Sequence, residues 1–177
     1  MEIISFLVST GHAYGGRPGD GPAPTDDAAP DEIELRAGYG VVGDRYAGRA
    51  AHAAAQVTLL AVEALEAVAD ELGVPPFDPA LARRTVVTRG LDVEALRRVE
   101  FTLDSGDGPV RLAGGRPAAP CAWMDTVLAP GAHAALRGRA GVRCAVLTSG
   151  TLRVGPLTVD APIPLDPARA SRALRAR

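Results

Sequence analysis

Short β-prone runs, cut off at close intervals by glycine and proline, constrain this chain more than any other feature. It carries 20 glycines and 15 prolines, 35 of 177 residues, about a fifth against an average near 12%. Such punctuation favours many short elements joined by turns over a helix bundle. The runs 2–9 (EIISFLVS), 33–37 (IELRA), 84–88 (RTVVT), 99–103 (VEFTL), 109–113 (PVRLA), 142–148 (VRCAVLT) and 151–160 (TLRVGPLTVD) read as strands. Close spacing with Gly-rich turns predicts a mostly antiparallel barrel or sandwich.

One helix stands out over 61–72 (AVEALEAVADEL), after a β-like stretch at 56–60. Val62, Leu65, Val68 and Leu72 recur at helical spacing, with Glu63, Glu66 and Asp70 largely opposite. Gly73, Pro75 and Pro76 end it. Those acids form a solvated face, not a catalytic pair. Short helices are expected at 92–97 and 132–137. Residues 11–31, dense in Gly, Pro and Asp, read as a long loop of the kind that is functional or mobile. Residues 38–55 are Gly/Arg-rich with no clean period, and 165–177 reads as a basic surface helix or a fraying tail. The length fits one domain over 1–177, with no linker after residue 31.

Composition removes several functions. With 47% hydrophobic and 23% charged residues the chain is a normal globular one. No apolar run approaches the roughly 20 residues of a membrane helix, and no basic region precedes the apolar start, so a cytoplasmic protein without membrane contact is expected. The net charge of −2 gives no support for nucleic-acid binding. All 19 basic residues are arginine, which excludes a pyridoxal-phosphate Schiff base, a P-loop lysine and a lysine general base. Two cysteines with no CxxC pair read as reduced thiols without a structural zinc.

Gly38-Tyr39-Gly40-Val41-Val42-Gly43 is a literal GxGxxG after a predicted strand. No amphipathic helix opens at Gly43, so the phosphate-binding helix N-terminus of a dinucleotide fold is missing and the motif is set aside. The segment Gly43–Arg49 (GDRYAGR) is richer, because arginines beside glycine suit bidentate contact with an oxyanion. Arg83, Arg84 and Arg89 flank Thr85 and Thr88, and with His52 and Gln56 they would make a phosphate-sized pocket. On spacing alone the reading of these arginines as ordinary surface residues is the favoured one.

Cys121 follows Pro120 on a stiff turn, where nearby arginines would enlarge its thiolate fraction; the alternative is a buried, inert thiol. Cys144, inside VRCAVLT, fits the inert reading. His12, His52 and His133 form no metal-spacing motif, and His12, on the long loop, is the most site-like.

In order, Gly43–Gly48 (GDRYAG), Gln56–Leu59 (QVTL), Arg83–Asp92 (RRTVVTRGLD), Pro120-Cys121, Gly141–Leu147 (GVRCAVL) and Gly150–Gly155 (GTLRVG) resemble the MOSC domain, named for the C-terminal domain of molybdenum cofactor sulfurase. The resemblance covers about residues 38–156, and the opening GHAYGGR is similar to a subset of small stand-alone members. It implies a mainly β fold, a MOSC-type β-barrel with a few helices, and a site built around one cysteine, here Cys121, which in cofactor-binding members ligates molybdenum. Carried over, Arg45, Arg49, Arg84, Thr85, Arg89 and His12 become candidate contacts for the molybdopterin phosphate and pterin. Thr85 stands where the family often has Asn, which loses an amide donor.

Two functions follow from the resemblance and stay open. In one, the chain binds molybdenum cofactor and reduces N-hydroxylated substrates with electrons from a redox partner. In the other, Cys121 carries sulfur as a persulfide, or holds the cofactor in transit, without turnover of its own. The pyridoxal-phosphate domain of the full sulfurase is not in this sequence, so a cysteine desulfurase would be a separate partner.

Overall fold

Alternation of inward and outward side chains along short strands builds the molecule. The computed structural model describes residues 1–174. In chain order the strands are β1 (Glu2–Phe6), β2 (Val8–Ser9), β3 (Asp27–Ala28), β4 (Glu32–Arg36), β5 (Gly40–Val41), β6 (Val57–Ala61), β7 (Val86–Arg89), β8 (Glu100–Asp104), β9 (Val110–Pro117), β10 (Val142–Val146), β11 (Gly150–Arg153), β12 (Gly155–Pro156) and β13 (Thr158–Asp160). The helices are α1 (Val62–Leu72), α2 (Trp123–Val127) and α3 (Ala132–Ala135).

Eight strands form one sheet in the order β12-β1-β7-β6-β10-β9-β8-β13. Its two end strands are neighbours in the chain. Gly155-Pro156 pairs with β1, and Thr158–Asp160 pairs with β8. Between them the Leu157 amide donates to the Met1 carbonyl at 3.0 Å. A single segment therefore bridges both edges and nearly closes the sheet into a barrel, which leaves little of the exposed edge of an open sheet. All pairings are antiparallel except β6 with β7, whose crossover is made by α1. A three-stranded sheet β11-β4-β5 and the small β2–β3 ribbon complete the fold.

The barrel interior is apolar, with Ile3, Phe6, Leu59, Val86, Leu103, Leu112, Val142 and Cys144 in one cluster. A second cluster covers the outside of one wall: Leu65 and Val68 from α1 meet Trp123, Met124, Ala132 and Leu136. Adjacent residues of β6 serve the two cores, Leu59 inside and Leu60 outside, as a period of two requires. Gly141 makes β10 possible. Its φ is +100° and an added Cβ would stand 2.0 Å from the Leu59 carbonyl, so only glycine lets the strand start this close to β6.

The helix at 61–72 starts one residue late and ends in a left-handed Gly73. The predicted helix at 92–97 is a 3-10 turn over Val93–Leu96. The run 151–160 is three strands, because it leaves the small sheet at β11 before joining the barrel. The loop 11–31 is organised by a 3-10 turn at Pro18–Asp20 and by β3. At the tail a 3-10 turn occupies Pro167–Arg169, and 175–177 lie outside the described residues.

Candidate functional site

The site stands on the outer face of the barrel wall. Val57 and Leu59 turn inward on β6, which sends Thr58 outward; Val142 and Cys144 turn inward on β10, which sends Arg143 outward. The register places Arg143 opposite Thr58. Just before β7, Thr85 locks to Thr58 through reciprocal bonds: the Thr85 amide to Thr58 Oγ1 at 2.8 Å, the Thr58 amide to Thr85 Oγ1 at 3.3 Å, and hydroxyl to hydroxyl at 3.1 Å. Three loops rise around this floor, carrying His12 and Tyr14, Asp44 to His52, and Ala118 to Cys121. They enclose a cavity of about 330 Å³.

Cys121 lines this cavity and is exposed, on the turn that leads into α2. Four guanidiniums line it as well: Arg45, Arg83, Arg84 and Arg143. The one acid among the lining residues is Asp44, and its carboxylate accepts the Tyr46 amide at 2.9 Å and the Ser9 amide at 3.4 Å. The cavity is therefore strongly cationic beside a thiol.

The four arginines are committed to different degrees. Arg83, in a left-handed backbone conformation, grips Asp27 and also reaches Ser9 Oγ at 2.8 Å, its guanidinium lying over the Tyr14 ring. Arg84 donates to three backbone carbonyls, those of Ala140 (2.9 Å), Ala82 (2.8 Å) and Ala118 (2.9 Å). Burial, with Arg143 pushing the same way, brings the Arg84 guanidinium down to about 10, so it remains charged at neutral pH. Arg45 packs over the Tyr46 ring at 4.4 Å, and its Nε is buried without a partner. Arg83 Nε is likewise buried and unpartnered. Arg143 makes no side-chain hydrogen bond or ion pair among the described residues.

The neutral groups have definite places too. His12 lines the cavity and is pushed below the ordinary histidine range by burial, then by Arg45 and Arg83, which favours its neutral form. His52 packs against Tyr46 with ring centroids 4.3 Å apart and the planes tilted by 41°. Tyr14 stacks on Trp123 at 5.3 Å and donates to the Leu81 carbonyl at 2.6 Å, which pins the long loop to the opposite rim. Gln56, buried, accepts the Val146 amide at 2.9 Å.

Of the residues expected at the site, Cys121, Arg45, Arg84, Thr85 and His12 come together around the cavity. Arg49 and Arg89 do not. Arg49 spends its Nε on the Arg45 carbonyl at 2.6 Å on the surface. Arg89 forms a forked pair with Glu66 of α1, at 2.6 and 3.2 Å, because β7 carries it past the cavity to the far end of the wall. Cys144 points into the barrel core, where burial drives its thiol far above the ordinary range. Arg143, Tyr14 and Trp123 line the cavity as well, beyond the residues expected there. Arg143 was legible as the lone charge alternating with apolar residues in VRCAV; nothing local marks the other two.

A model of the MOSC domain matches residues 43–157 of the chain. The fold is similar to that of the YuaD protein from Bacillus subtilis, with a TM-score of 0.69 at 17% identity over 93% of this chain and 95% of that one. YiiM from Geobacillus stearothermophilus gives 0.61 at 15% identity, over 89% and 74% of the two chains. YiiM from Escherichia coli gives 0.60 at 16%, over 97% and 76%. The curated proteins contain no sequence match. No helix among the described residues is long and apolar enough to cross a membrane.

Proposed function

The chain belongs to the MOSC domain family, whose members are associated with molybdenum cofactor, and we propose that it binds that cofactor at Cys121 and reduces N-hydroxylated substrates. The observation that carries this reading is the exposed Cys121 thiol sharing one cavity with four arginines and a single acid. The donor set fits the group. No cluster of three or more His, Cys, Asp or Glu side chains suited to a bare metal ion occurs among the described residues. One soft thiolate suits a metal that arrives with its own sulfur ligands. The buried, unpartnered Nε atoms of Arg45 and Arg83 are donors in search of an oxyanion.

Cys121 would ligate the metal, while Arg45 and Arg143, with donors to spare, would hold the phosphate. When bound, the cofactor supplies the two-electron exchange with the substrate. The protein's part is to orient and screen. The stacked Tyr14 and Trp123 rings give the cavity one flat aromatic wall, and Tyr46 with the tilted His52 lines it as well. His12, whose neutral form is favoured, can accept a proton beside the cavity. Electrons come from a separate redox protein.

Protein purified from a host that makes molybdenum cofactor should contain molybdenum and pterin near one equivalent, and Cys121→Ser should lose the metal. Absence of both groups from wild type and variant alike overturns the reading. The same exposed thiol supports a second one, in which Cys121 accepts sulfur from a cysteine desulfurase as a persulfide. Mass spectrometry after incubation with a desulfurase and cysteine would then show one added sulfur, absent in Cys121→Ala.

A further inference from the structure

Arg84 lines the cationic cavity, yet its donors are turned to the protein rather than to the open space. The three carbonyls it reaches come from three separate stretches of chain: its own approach to β7 (Ala82), the Cys121 turn (Ala118), and the approach to β10 (Ala140). A guanidinium presents five N–H donors in a rigid planar fork, and only arginine can bridge three carbonyls in this way. The last two of these stretches are joined a second time, by the Ala118 amide donating to the Gly141 carbonyl at 2.8 Å. Gly141 is itself held from behind, its amide donating to Glu94 Oε1 at 2.7 Å. Ala118 is buried although the turn beyond it is exposed, so the anchoring ends three residues before the thiol.

We propose that Arg84 is a positioning residue: it staples the Ala118 end of the Cys121 turn to the barrel wall and so fixes where the thiol stands, leaving the anion to Arg45 and Arg143. The inference rests on the reading of Cys121 as the cavity's reactive group. It reverses the simplest expectation for an arginine in such a cavity, that its charge meets the ligand.

Four measurements on the full chain test it, and a fifth separates it from the cofactor reading. In the wild type, the Arg84 Nε proton donates to Ala140 and should exchange slowly with water; fast exchange overturns the staple. Arg84→Lys keeps the charge but gathers its donors on one nitrogen, so it cannot reproduce bonds made from Nε, Nη1 and Nη2 to three separate carbonyls. Amide hydrogen exchange across 118–124 should therefore rise at least about tenfold in this variant while the rest of the barrel keeps its protection. Unchanged exchange in that segment overturns the proposal. Alkylation of Cys121 by iodoacetamide separates position from charge. Arg84→Lys should change the rate at fixed pH by about threefold or more, whereas an arginine acting only through its charge predicts the wild-type rate. Affinity for inorganic phosphate should stay within about twofold in Arg84→Lys; a loss as large as that of Arg45→Gln makes Arg84 an anion ligand and overturns the assignment. Molybdenum content is read on the same samples. Loosened 118–124 exchange in a chain whose wild type holds no molybdenum sustains the staple and removes the cofactor reading alone.

Discussion

Asp27 holds Arg83 with both carboxylate oxygens, 2.5 Å to Nη1 and 3.2 Å to Nη2, across 56 residues of chain. The bond from Arg83 brings the Asp27 carboxyl down to about 2. This pair ties the far end of the long loop to the cavity rim. Because the folded-state value lies below the ordinary one, the stabilisation is complete above about pH 4 and is lost as the pH falls toward 2. Asp27→Asn should cost about 1 kcal/mol, since one partner is partly exposed. It should also speed proteolysis within 11–26, and limited digestion followed by mass spectrometry reads it.

Cys121 and Cys144 differ in exposure so fully that one reagent distinguishes them. Cys144 is buried in the barrel and its thiol is pushed far above the ordinary range. Iodoacetamide at pH 8 should place a single adduct, on Cys121, in the native protein, and a second only after denaturation. Peptide mapping that found Cys144 labelled at comparable speed in the folded state would contradict this packing.

Glu94 is a buried carboxyl that burial raises to about 7, against the opposing pull of Arg97 and the Gly141 amide. Its folded value lies above the unfolded value of 4.5, so the folded state binds the extra proton between those limits. Stability from this group is therefore greatest below pH 4.5 and declines as the pH rises through 7. Glu94→Gln keeps an oxygen for the Gly141 amide and cannot ionise. The difference between wild-type and variant urea midpoints should narrow toward low pH and change most between pH 4.5 and 7. A difference independent of pH would show that Glu94 does not titrate there.

The barrel was legible because its strands carry a period of two between strong breakers, and the helix because its apolar residues fall on one stripe. What the sequence hid was contact order. The break of 151–160 into three strands depends on which edges need closing, a property of the whole sheet. β5, two residues long in the Gly/Arg-rich stretch, exists because β4 lies beside it. The site divided the same way. Cys121, Arg45 and His12 stand out locally, through a proline, a glycine pair and a loop. Arg89 and Arg84 look alike in RRTVVTR, and only the direction of β7 sends one to Glu66 and leaves the other among carbonyls. The stacking of Tyr14 on Trp123 spans more than a hundred residues and leaves no local trace.

Arg45 and Arg143 are the two cavity arginines with donors free for a ligand, and they differ in setting. Arg143 stands on a strand with Thr58 opposite, so its backbone is fixed by the barrel. Arg45 rests on Tyr46, in a loop joined to Ser9 through the Arg45 amide at 2.8 Å. A charge-assisted bond in a partly desolvated site contributes about 1.5–3 kcal/mol, or roughly 10- to 100-fold in affinity. Arg45→Gln and Arg143→Gln should each weaken inorganic phosphate binding by that factor, read by calorimetry at low salt. Neither should lower the melting temperature much, because neither side chain holds another part of the chain. Arg89→Gln, which breaks the pair with Glu66 away from the cavity, should leave phosphate binding unchanged. If the Arg89 variant weakened binding as much as the other two, the effect would be the field of the whole protein and not contact in this cavity.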